Sequence, residues 1–187
     1  MRDLALHILD LVQNSVEAGA DSVWLSVIED LTLDLLTIRV VDNGRGMDED
    51  TCHRVSDPFY TTRSTRRVGL GLPLIQMSTS QCGGQLVITS ELGRGTTVEA
   101  SWRWSHLDRP PLGDLATTLK SLIVGNSELD LNYTHQVGRN CFSLSVRELR
   151  DTLNGIPFTQ PDVLVWLDEY LNGNERLVYG GALDENS

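Results

Sequence analysis

The sequence predicts an α+β fold, in which helices cover one face of a mixed sheet and a small α+β extension follows at the C-terminus. Three observations predict it. The chain opens on a mostly apolar helical pattern. Two strand-like runs follow, then a helical stretch and a second strand pair. The step Arg109-Pro110-Pro111 marks a boundary, because paired prolines break both helices and interior strands, and new helix and hairpin patterns begin beyond it.

The first helix is expected from near Arg2 to Glu17 or Ala18, with Gly19 as its stop. Leu4, Ile8, Leu9, Leu11 and Val12 make it largely apolar, so it should be buried against a sheet. Asp3, His7, Asp10, Asn14 and Glu17 recur at helical spacing and form one polar stripe. Taken alone, that stripe fits a solvated face as well as a functional one.

Residues 22–29 alternate and are rich in Val, Trp and Ile, which predicts a strand. A second strand is expected over 32–41, ended by the Asn43-Gly44 step. Residues 48–56 read as helical and 57–68 as an irregular loop. A helix over 72–82 carries Pro73 in its first turn and stops at Gly83-Gly84. Strands over 85–90 and 96–104 are joined by the Gly93-Arg94-Gly95 turn. Past the prolines, a helix over 113–124, a hairpin of 129–135 and 140–146 around Gly138, and helices near 147–153 and 161–171 are expected. Residues 180–187 read as a frayed tail.

An apolar content of 40% across 187 residues is enough for a buried core. No apolar run approaches the roughly 20 residues that cross a bilayer, and the N-terminus lacks the layout of a secretory signal. Cys52, Cys82 and Cys141 match no zinc or redox spacing, which predicts reduced thiols and a cytoplasmic location. A net charge of -11 argues against general nucleic-acid binding, which needs a basic field. Arg63, Arg66 and Arg67 form a local basic patch, either a solvated loop or a surface facing a polyphosphate.

Four short motifs fall in order within the first half: Asp10-Leu11-Val12-Gln13-Asn14, Asp42-Asn43-Gly44-Arg45-Gly46, Asp57-Pro58-Phe59-Tyr60-Thr61-Thr62-Arg63 and Val68-Gly69-Leu70-Gly71-Leu72. A buried carboxylate where a strand meets a glycine-rich turn, as is expected at Asp42, can accept a hydrogen bond from the exocyclic amine of adenine. It rejects the oxygen that guanine presents there. The bland alternative is a surface Asp-Asn-Gly hairpin turn. Asn14 is a neutral oxygen ligand of the kind Mg²⁺ takes beside phosphates and water. Asp10, one turn earlier on the same face, is placed to orient or deprotonate an attacking water. Gly69 and Gly71 would let backbone amides wrap phosphates at the start of the next helix.

Together these motifs resemble the GHKL ATP-binding superfamily of gyrase-type topoisomerases, mismatch-repair ATPases, histidine kinases and anti-sigma serine kinases, over roughly residues 1–104. The run from Asn14 to Ala20 is similar to the mismatch-repair branch, and Asp57 to Arg63 to the histidine-kinase branch. The stretch His106 to Asp114 resembles small free-standing bacterial ATP-binding proteins encoded near iron hydrogenase subunits. The resemblance implies a Bergerat-type sandwich over 1–104, an extension over 105–187, and ATP with Mg²⁺ as cofactors. It implies Asp10 as the catalytic residue and Asn14 as the metal ligand. It places Asn14, Asp42, Gly44, Gly46, Met47, Thr62, Arg63, Gly69, Leu70, Gly71, Leu72 and Thr96 at the nucleotide, and Phe59 in packing a lid.

Two departures accompany it. Asp10 stands where gyrase-like and mismatch-repair members carry glutamate, and Val68 where histidine kinases often carry another glycine. Histidine kinases phosphorylate a histidine on a separate helix, so His7 is expected at the pocket rim or as a satisfied structural residue. His53, His106 and His135 read as isolated. The expected activity is phosphoryl transfer to, or ATP-driven change in, an unidentified partner protein, with a homodimer among the assemblies allowed. The alternative is a slow, nucleotide-gated binding module. An ATPase clamp around DNA fits the acidic charge poorly.

Overall fold

The computed structural model describes residues 3–55 and 71–180. Its elements are α1 (Leu4–Glu17), β1 (Ser22–Asp30), β2 (Leu35–Asp42), α2 (Glu49–Arg54), α3 (Gly71–Gln81), β3 (Leu86–Glu91), β4 (Gly95–Arg103), α4 (Leu115–Gly125), β5 (Asp130–Val137), β6 (Asn140–Ser145), α5 (Val146–Leu153) and α6 (Pro161–Val178). The strands form one mixed sheet in the order β3-β4-β2-β1-β5-β6. Every neighbouring pair is antiparallel except β1 and β5, which are parallel.

The period of two along each strand sends one residue set to the core and the other to the open face. Val23, Leu25 and Val27 of β1 are buried with Leu36, Ile38 and Val40 of β2 and Leu131 and Tyr133 of β5, while Trp24 and Ile28 stay exposed on the opposite face. Leu4, Ile8, Leu11 and Val12 of α1 complete this core, each worth about 1.5–3 kcal/mol on full burial. The helix packs against β2, α3 and α4, and α4 in turn against α6, where Lys120 Nζ lies 2.8 Å from Asp168 Oδ1.

The helix α1 begins at Leu4 rather than near Arg2, because the Asp3 carboxylate caps it by accepting from Leu6 N–H at 3.0 Å. Its next free donors are met from far along the chain. Leu4 N–H donates to Pro111 O at 2.9 Å and Ala5 N–H to Leu112 O at 2.8 Å. The proline segment thus lies across the N-terminus of α1.

Other expected boundaries shift as well. The second strand starts at Leu35, not Thr32, because Asp30 Oδ1 accepts from the N–H groups of Thr32 and Leu33, both at 3.0 Å, and holds a turn there. The last helix runs to Val178 instead of ending at 171. Asn172, Gly173 and Asn174 read locally as breakers, yet buried Leu171 and Val178 anchor the helix on both sides of them. Tertiary burial overrides weak propensity. The expected helix from 113 begins at Leu115, since Gly113 has φ +79 and Asp114 is the cap, accepting from Thr117 N–H at 2.8 Å.

Candidate nucleotide site

Asp42 ends β2 and turns its side chain to the helix-covered face, 8% exposed. Its Oδ1 accepts from Gly44 N–H at 2.9 Å and Thr96 N–H at 3.1 Å, and its Oδ2 from the Ser15 hydroxyl at 2.8 Å. A carboxylate offers about four lone-pair sites. Three are filled, which leaves room for one further donor on a group that three hydrogen bonds hold in a single orientation. The carboxylate is thus tied to α1, to the loop after β2 and to β4, and does not sit in a surface hairpin turn.

The loop after Asp42 is pinned on both sides. Asn43 Oδ1 accepts from Asp21 N–H and Ser22 N–H at 3.1 Å each. Arg45 N–H donates to Ala18 O at 2.9 Å, and Gly93 N–H to Arg45 O at 2.7 Å. At Gly46, with φ +66, a Cβ would lie 2.0 Å from the Glu91 carbonyl oxygen. The glycine is therefore required by the close approach of the β3–β4 turn, before any ligand is considered.

Asp10 and Asn14 lie one turn apart on α1, both half-buried. The start of α3 comes up to the first of them: a Cβ on Gly71 would stand 1.9 Å from Asp10 Oδ2. The structure thus brings Asp10 to an α-helix N-terminus, where negative charge is favoured. Leu72, in the first turn of α3, packs against the hydrophobic core. Met47 enters through its backbone, donating to Ser90 Oγ at 2.8 Å. Thr96 Oγ1 lies 2.9 Å from the same Ser90 oxygen.

Thr62, Arg63, Gly69 and Leu70 lie outside the described residues, as do Asp57 to Phe59, Arg66, Arg67 and Val68. Among the described residues the structure gathers Asp42, Gly44, Gly46, Met47 and Thr96 at one end, and Asp10 with Gly71 at another. Ser15 and Ser90 were missed by motif reading. Ser15 directly follows Asn14 and so leaves the polar stripe, while Ser90 is found only through hairpin register, which pairs it with Thr96.

Two histidines depart from expectation. His7 is 3% exposed rather than at a rim, and its Nδ1 has no hydrogen-bond partner, so it is not a satisfied structural residue either. Burial pushes its pKa down, against the opposing pull of Asp10 and Asp3. His135 is not isolated. Fully buried on β5, it lies 2.7 Å from Glu175 Oε2 through Nδ1 and 3.3 Å from Glu29 Oε1 through Nε2. Tyr133 donates to Glu175 at 2.8 Å, and Tyr179 and Trp104 donate to Glu29. Burial works to lower the His135 pKa, but the bonds to Glu175 and Glu29 raise it to about 9. No group of three or more His, Cys, Asp or Glu among the described residues is arranged to hold a metal ion.

The one-faced mixed sheet and the carboxylate fixed at the end of β2 define the class, a GHKL-type sandwich. Residues 2–105 match the histidine kinase-, DNA gyrase B- and HSP90-like ATPase family, and the chain belongs to it. A putative sensor protein of Shewanella frigidimarina is 32% identical over 103 residues, covering 54% of this chain and 16% of its own length. Sporulation kinase E of Bacillus subtilis is 35% identical over 89 residues, 47% of this chain and 12% of that one. Sensor protein kinase FleS of Pseudomonas aeruginosa is 39% identical over 89 residues, 48% of this chain and 22% of that one. The chain spans less than a quarter of the length of each of these relatives. The N-terminal domain of a DNA repair protein shares the fold, with a TM-score of 0.54 and 18% identity, over 78% of this chain and 52% of that one. None of the described helices is long and apolar enough to cross a membrane.

Proposed function

We infer that the chain binds Mg-ATP and acts on a partner protein, by phosphoryl transfer or by ATP hydrolysis. The observation that carries this reading is the Asp42 carboxylate: buried, held by Ser15, Gly44 and Thr96, and left with capacity for one more donor. The amino group of adenine supplies that donor, whereas the oxygen at position 6 of a 6-oxo purine can only accept.

Asn14 suits Mg²⁺, which takes one or two protein oxygens and otherwise phosphate and water. When bound, the metal would neutralise charge on the phosphates. The N-terminus of α3 would hold the phosphate end, completed by Thr62, Arg63, Gly69 and Leu70. Asp10, against Gly71, would orient water or the hydroxyl of an acceptor. Catalysis would rest on positioning and charge stabilisation. We place residues 105–187 as an extension serving partner docking, a division supported by the family match ending at 105. The free cysteines Cys52, Cys82 and Cys141 support a reducing, cytoplasmic setting.

A second reading is a slow nucleotide-gated module. It is favoured by the short reach of Asp10, whose carboxylate lies against α3. The experiment that separates the two follows γ-labelled phosphate from Mg-ATP, with and without host lysate. Label on a lysate protein, lost in Asn14→Ala, identifies a kinase and its substrate. Free labelled phosphate identifies an ATPase, and label retained on ATP identifies the gated module.

A further inference from the structure

Ser90 lies in none of the nucleotide motifs, yet it stands at the centre of the polar network beside Asp42. Strand register pairs Ser90 of β3 with Thr96 of β4, and Thr96 with Asp42 of β2, which puts the three side chains in a row on one face. Ser90 Oγ has three neighbours: Met47 N–H at 2.8 Å, Gly95 O at 3.0 Å and Thr96 Oγ1 at 2.9 Å. A serine hydroxyl has one proton and two acceptor lone pairs. The Met47 N–H can only donate, so it takes a lone pair. The Gly95 carbonyl can only accept, so it takes the proton. Thr96 must then donate into the remaining lone pair. This is the arrangement that satisfies all three contacts together.

Its consequence falls on Thr96. Its single hydroxyl proton is committed to Ser90, so toward the pocket Thr96 offers lone pairs alone. Asp42 offers lone pairs alone as well. The base end of the pocket therefore presents acceptors and no side-chain hydroxyl proton, a surface that favours an amino group at position 6 of the base and disfavours a carbonyl oxygen there.

We propose that Ser90 is a positioning residue for base specificity: by holding the Thr96 proton it keeps the pocket selective for a 6-aminopurine over a 6-oxopurine. This rests on the reading that the pocket takes ATP. Without Ser90, the Thr96 hydroxyl is free to rotate and donate to a 6-oxo group, which weakens discrimination without removing Asp42.

The test compares ATP with ITP, which carries an oxygen in place of the 6-amino group and a proton on N1, by calorimetric titration of the whole chain with Mg²⁺. Ser90→Ala is expected to narrow the ATP-to-ITP affinity ratio by roughly tenfold, the size of one hydrogen bond. Ser90→Thr, which keeps the hydroxyl, is expected to retain the wild-type ratio. Ser90→Cys, similar in size but a weak donor and acceptor, reads the same ratio should the alanine variant not fold. An unchanged ratio in folded Ser90→Ala or Ser90→Cys, or an equal narrowing in Ser90→Thr, overturns the proposal. Wild-type protein that binds neither nucleotide instead overturns the ATP reading on which it rests.

Discussion

The backbone of Gly71 lies against the carboxylate of Asp10, so closely that a Cβ at position 71 would come within 1.9 Å of Oδ2. This contact joins the start of α3 to the residue that we propose acts at the γ-phosphate. Gly71→Ala must turn the Asp10 side chain away or lift the first turn of α3. The account predicts a turnover loss of tenfold or more, on the order of what general-base positioning contributes, with a smaller change in ATP affinity. Asp10→Asn should likewise keep binding and lose turnover. Steady-state kinetics beside titrated binding separates the two effects, and full turnover in Asp10→Asn would remove Asp10 from the chemistry.

Ser15 should matter beyond its size. Its hydroxyl donates to Asp42 Oδ2 at 2.8 Å inside a buried site. Ser15→Ala is expected to weaken ATP binding by about tenfold or more, as for loss of a hydrogen bond to a charged group. Equal affinity in the variant would mean that Asp42 needs no orienting from α1.

Gly46 sets a purely structural prediction. Alanine there meets both a positive φ of +66 and the Glu91 carbonyl at 2.0 Å, neither of which a flexible side chain can relieve. The expected cost is about 1–3 kcal/mol from the backbone conformation, and more from the contact. Chemical denaturation of Gly46→Ala checks it, and an unchanged midpoint would contradict the tight seating of this loop.

The buried Glu29–His135–Glu175 cluster predicts a pH dependence of stability. His135 is raised to about 9 from an ordinary value of 6.5, so its contribution is complete below about pH 6.5 and lost as pH rises through 9. Burial works to raise Glu29, but bonds from His135, Tyr179 and Trp104 hold its pKa below 4.5. Its contribution is therefore present above that value and lost on acidification. The cluster should stabilise most between about pH 5 and 6.5. His135→Gln, which strands buried carboxylate, should cost about 3–5 kcal/mol and flatten the alkaline limb. Unfolding midpoints measured from pH 5 to 10 would show this limb in the wild type alone.

Much of the first half was legible because its signals are local. Period-two alternation marked β1, the Gly93-Arg94-Gly95 turn marked the β3–β4 pair, Gly19 and Gly83 marked helix ends, and Asp42 before Asn43-Gly44 marked the end of β2, where the carboxylate is buried. What escaped depends on residues far apart in the chain. Position 29 reads as a strand-end glutamate and 135 as a lone histidine until β5 lies parallel to β1, pairing Glu29 with Val137 beside it. The extension of α6 through Gly173 likewise rests on distant contacts, with Leu171 and Val178 buried and Glu175 meeting Tyr133 and His135 of β5. Serines carried no motif signal, since the role of Ser15 and Ser90 lies in their hydroxyl partners.

Adenine recognition by Asp42 is decided by titrating Mg-ATP into the wild type and Asp42→Asn by calorimetry. The account predicts saturable binding to the wild type and none to the variant, because the amide loses the charge and exchanges an acceptor for a donor. Equal affinity in the two proteins would contradict it.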